Sequence, residues 1–98
     1  MKRIIVLSFC LLTSVSMASE KPAKVAQCDA CHGANGAAPI MDAYPKLNGQ
    51  NKGYLISALK DYRSGKRTGA LSAVMAGQSA SLTDEEIEAL AAYYSSQK

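Results

Sequence analysis

Apolar residues recur at helical spacing along two stretches of this chain, and the alternation expected of a half-buried strand occurs nowhere. Tyr54, Leu55, Ala58, Leu59 and Tyr62 form one stripe. It predicts a helix from about Asn51, a candidate N-cap, to Ser64, with Gly65 as its stop. Ile87, Leu90, Ala91 and Tyr94 form the second stripe, and its start is strongly punctuated. Thr83 and Glu86 have the spacing of a capping box, and Leu82 and Ile87 occupy the positions of a hydrophobic staple. This helix should run to about Ser96, and Asp84, Glu85 and Glu86 suit the positive end of its dipole. A shorter helix is expected from about Pro22 to Cys31. Pro22 can open it because the first turn needs no N–H there, and Val25 and Cys28 share a face. The stretches Gly33 to Gln50 and Lys66 to Ser81 carry glycines and show no helical period, so both are expected to be loops, the second containing Met75. The pattern is that of an all-α fold.

A further apolar run, Ile4 to Val15, follows the basic "MKR" and precedes the small residues "SMAS". That order predicts a cleaved signal peptide, residues 1–18, and an exported domain, residues 19–98, in the periplasm. The run falls short of the roughly 20 apolar residues that span a bilayer, so no membrane span is expected in the mature chain. Cys10 follows bulky Phe9, where lipidation wants a small residue, and leaves with the signal. Loss of Lys2 and Arg3 lowers the formal net charge from +3 to about +1. Nucleic acid is therefore not an expected partner. A mature chain of about 80 residues rarely stabilises itself by its core alone. A bridge between Cys28 and Cys31 would close too small a loop to restrain much chain, so the supplement is expected to be a cofactor.

The stretch "QCDACHG", Gln27 to Gly33, holds both remaining cysteines and the one histidine. Three chemistries use a Cys-x-x-Cys pair. A structural zinc site needs about four ligands, and only Cys28, Cys31 and His32 are offered. A thioredoxin-like pair belongs between a strand and a helix, and no strand pattern precedes Gln27. Covalent haem attachment needs two thiols spaced for the two vinyl groups of one porphyrin, with an imidazole next in sequence for the iron. "CDACH" supplies all three. A small disulfide with an incidental histidine would leave that adjacency unexplained.

The residues "CDACHG" with Gly36, "YPKLNGQ", Tyr54 and Leu55, "RSGKR", Met75 and "LTDEEIEALAAYY" occur in an order that resembles small class I c-type cytochromes. The resemblance is strongest to the single-haem module of bacterial periplasmic cytochromes with one or two such modules, and it covers nearly all of residues 19–98. It implies three to four helices around one covalently bound haem c, with the first and last helices packed crosswise. Cys28 and Cys31 would form the thioethers, and His32 would bind the iron from one side. A second ligand is then required, no second histidine exists, and Met41 and Met75 are the methionines left after the signal. Met75 matches the family's distal ligand by its place between two helices, while Met41 reads as a core filler. The resemblance also implies that the Pro45 carbonyl orients the His32 ring.

Iron held by both His32 and Met75 would have no open position, which implies electron transfer between Fe(II) and Fe(III) rather than catalysis. Partners would be periplasmic or membrane-associated redox proteins meeting an exposed porphyrin edge briefly. A permanent place as the redox subunit of a catalytic complex is an alternative, and a haem sensor or enzyme with an open distal site is another. The sequence lacks the second histidine that a peroxidase-like site would want. Lys46, Lys52, Lys60, Arg63, Lys66 and Arg67 crowd the middle of the chain and could orient docking, although solvated helix faces would look the same.

Overall fold

The computed structural model describes residues 21–69 and 71–98; the expected signal peptide, its boundary and Cys10 lie outside them. Four α-helices follow in order: α1, Val25–His32; α2, Lys52–Ser64; α3, Ser72–Ser79; and α4, Asp84–Ser96. A single 3-10 turn, Ala34–Gly36, follows α1, and no strand occurs among the described residues.

Helix α4 starts as its sequence dictates. The Glu86 N–H donates to Thr83 Oγ1 at 3.1 Å, and the Thr83 N–H donates to Glu86 Oε1 at 3.0 Å. Leu82 and Ile87 are both buried in the main cluster, as the staple requires. Helix α2 ends in a Schellman motif: the Gly65 N–H bonds the Tyr62 carbonyl at 3.2 Å and the Lys66 N–H bonds the Asp61 carbonyl at 2.9 Å. Asn51 occupies the N-cap of α2 in extended backbone, but its side chain makes no capping bond. Helix α1 begins at Val25, later than expected, because the Val25 N–H bonds the Pro22 carbonyl at 3.1 Å in a preceding turn.

The largest departure is α3, which occupies ground expected to be loop. Ala73, Met75, Ala76 and Gln78 favour helix, but Gly77, the two serines and β-branched Val74 work against it within only eight residues. Packing against α2 supplies what propensity does not.

The core comprises Val25, Leu55, Leu82, Ile87, Leu90, Ala91, Tyr93 and Tyr94, with Cys28, Leu47, Ile56 and Leu59 against it. Full burial of side chains such as Val25, Ile87 and Leu90 contributes about 1.5–3 kcal/mol each. Val25 of α1 shares this core with Ile87 and Tyr94 of α4, and the Tyr94 hydroxyl donates to Asp29 Oδ1 at 2.7 Å. Burial first, and then that bond, push the Tyr94 hydroxyl far above its ordinary pKa, so it stays a donor.

The chain between α1 and α2 is pinned to this body. The Leu47 N–H donates to the Gly36 carbonyl at 2.8 Å, and the Gly49 N–H donates to the Tyr94 carbonyl at 2.9 Å. Gly36 permits this approach: at φ 69°, an added Cβ would stand 2.8 Å from Leu47 Cβ and 2.9 Å from the Tyr94 ring.

Candidate functional site

A cavity of about 270 Å³ opens between these elements, walled mainly by apolar side chains of α2, α3 and α4. Cys28, Cys31 and His32 from α1, Pro45 from the following loop, and Met75 from α3 all line it. The sequence had separated these residues widely; the fold gathers them.

His32 is the last residue of α1 and is 4% exposed. Gly33 turns the chain away at φ 84°, and a Cβ there would overlap the backbone of Ala38, which leaves room for no other residue. The loop then returns Pro45 to the ring, and His32 Nδ1 lies 2.8 Å from the Pro45 carbonyl oxygen. A carbonyl only accepts, so Nδ1 carries a proton, and the lone pair of the neutral ring is on Nε2. That is the tautomer a metal-binding imidazole needs.

Cys28 and Cys31 are half-buried free thiols. Burial pushes the Cys28 thiol up, opposed in part by the neighbouring Tyr94 hydroxyl.

Met75 sits on a helix rather than in a loop. Leu71, Val74, Met75 and Gln78 line the cleft at helical spacing, so the same face carries all four. That spacing was readable in the sequence, but the polar Gln78 and the flanking small residues mask it. Met41 is not a core filler: it is 48% exposed, in a turn where its carbonyl accepts from the Tyr44 N–H at 3.0 Å. Tyr54, expected within an apolar stripe, lines the cleft yet is 53% exposed, placing it at the rim.

The basic residues do not form one free face. Arg63 Nη1 donates to the Leu82 carbonyl at 2.9 Å and Nη2 to Asp84 Oδ1 at 2.7 Å, tying α2 to the start of α4. Arg67 stacks over the Tyr62 ring at 4.7 Å and lines the cleft. The sequence marked Arg67 as a basic residue and as part of "RSGKR", but carried no sign that it, Gln27, Leu47 and Gln78 line the cleft.

Two thiols, an imidazole with its metal-facing lone pair free and a thioether on one apolar-walled cleft are a donor set that fits haem. The family model for cytochrome c matches residues 19–98. This chain belongs to the cytochrome c family. It is 48% identical over 77 residues to cytochrome c-554(548) of Halomonas halodenitrificans, an alignment covering 76% of this chain and 89% of that one. It is 39% identical over 77 residues to the thiosulfate dehydrogenase electron acceptor of Thiomonas intermedia, covering 79% of this chain and 34% of the relative. The crystal structure of reduced recombinant cytochrome c4 from Pseudomonas stutzeri superposes with a TM-score of 0.65 at 37% identity, covering 72% of this chain and 38% of that one. The chain thus spans most of the first relative and little more than a third of the other two. As a cytochrome c it carries covalently bound haem c and serves electron transfer, not catalysis.

Proposed function

We propose that this cytochrome c is a periplasmic electron carrier whose iron is held by His32 and Met75, with Cys28 and Cys31 bonded to the porphyrin. The observation that carries this reading is the convergence of the His32 ring, fixed by the Pro45 carbonyl, and the Met75 face of α3 on one cleft. When bound, the haem supplies a one-electron Fe(II)/Fe(III) couple.

The chain's part is to keep the ligand set unchanged as charge comes and goes. The Pro45 carbonyl fixes the plane and tautomer of the His32 ring and raises its basicity. The Met75 thioether favours the ferrous state relative to a second imidazole. Leu55, Leu90 and Ala91 line the cleft with apolar surface and limit water around the redox centre. Donor and acceptor are other redox proteins in the periplasm or at a membrane surface, met through small transient interfaces. No helix of the described residues is long and apolar enough to cross a membrane.

The test is to recover the protein from the periplasm, weigh it and expose its reduced form to carbon monoxide. The expected result is residues 19–98 plus one porphyrin, with no ready carbon monoxide binding. The bare polypeptide mass contradicts covalent attachment, and ready binding contradicts two-sided ligation.

A further inference from the structure

Helix α3 has weaker local support than its neighbours. It has eight residues, its N-cap, Leu71, offers no side-chain bond, and Gly77 lies inside it. Ser79 near its end is fully buried, yet its hydroxyl has no partner. α3 leans on α2, whereas Cys28, Cys31 and His32 belong to α1. One side-chain bond crosses from α1 to α3: Gln27 Nε2 donates to Gln78 Oε1. Gln27 immediately precedes Cys28, Gln78 lies one turn beyond Met75 on the same face, and both line the cleft.

We propose that Gln27 and Gln78 are positioning residues, a latch that holds the Met75 helix to the helix bearing the other attachment points. The proposal rests on Met75 being the second iron ligand. Opening of the cleft requires α3 to move away from α1, and the bond lies across that path. Both side chains are neutral amides, so the latch does not titrate and salt does not screen it. The pair is exposed, so the effect is modest: a neutral hydrogen bond shifts such an opening equilibrium roughly two- to tenfold.

The test uses the ferric holoprotein and the rate at which added imidazole displaces the axial sulfur, followed by the weak near-infrared band of sulfur-bound iron. Gln27→Ala and Gln78→Ala are each expected to raise that rate roughly two- to tenfold. The double variant should be no faster than the faster single one, because the two residues act as one unit. Gln27→Lys combined with Gln78→Glu should restore slow exchange and make it salt-dependent. Unchanged rates in both single variants, or rate increases that multiply in the double variant, overturn the latch while leaving Met75 as ligand. A wild-type protein without the near-infrared band overturns the Met75 reading and the latch with it.

Discussion

His32 and Met75 line one cleft, but the chain holds them in opposite ways. His32 ends a helix that meets α4 in the core, its ring is bonded to Pro45, and the loop carrying Pro45 is itself bonded to Gly36 and Tyr94. Every link in that chain is a backbone or buried contact. Met75 rides on a helix as short as α1 and equally without an N-terminal side-chain cap, but one joined to α1 by an exposed amide pair. The difference implies a rigid proximal side, fixed before any ligand bond forms, and a distal side whose geometry depends on bonds made across the cleft. Under the proposed ligation by His32 and Met75, such a division suits a carrier that keeps one ligand invariant and tunes its potential through the other.

Glycine substitutions probe the two sides most sharply, because the same change should have opposite signs. Gly33→Ala puts a Cβ into the Ala38 backbone at a positive φ, and should cost about 3 kcal/mol or more in denaturant unfolding of the holoprotein. A loss well under 1 kcal/mol would mean that the proximal turn is looser than its contacts indicate. Thr83→Ala removes the cap of α4, the helix on which the proximal side rests. It should cost about 1 kcal/mol, read as a fall in Tm of roughly 4–8 °C.

Gly77→Ala, in α3 with open space around it, should instead stabilise by about 0.5–1 kcal/mol. If it destabilises as Gly33→Ala does, α3 is packed as tightly as the proximal turn and the contrast fails. The smallest effect is electrostatic. Arg63 holds the exposed Asp84 carboxyl below its ordinary pKa, first by hydrogen bonding and then by charge. Because the folded-state pKa is lowered, that stabilisation is present above the unfolded value near 3.8 and is lost as pH falls through and below it. Asp84→Asn should lower stability slightly at neutral pH, leave it unchanged well below the unfolded value, and so flatten the acid limb of the profile.

What the sequence disclosed follows the same division. Helix α4 was legible to its first residue because Thr83 and Glu86 satisfy each other locally, and α2 was legible at its end because Gly65 supplies the left-handed turn. The cysteines and histidine were legible because attachment chemistry demands local spacing. Helix α3 was not, since its stability comes from tertiary contact with α2 and its cleft-lining face includes a glutamine. Met41 was misread for a related reason: apolar character alone does not say which side of a loop a residue occupies. The partners of Arg63, on Leu82 and Asp84, were equally hidden, because they lie far along the chain.

The two methionines offer the most direct test. In the ferric holoprotein the near-infrared band of sulfur-bound iron should be present in the wild type, persist in Met41→Ala and vanish in Met75→Ala. A band that survives Met75→Ala, or is lost with Met41→Ala, would show that α3 does not supply the ligand.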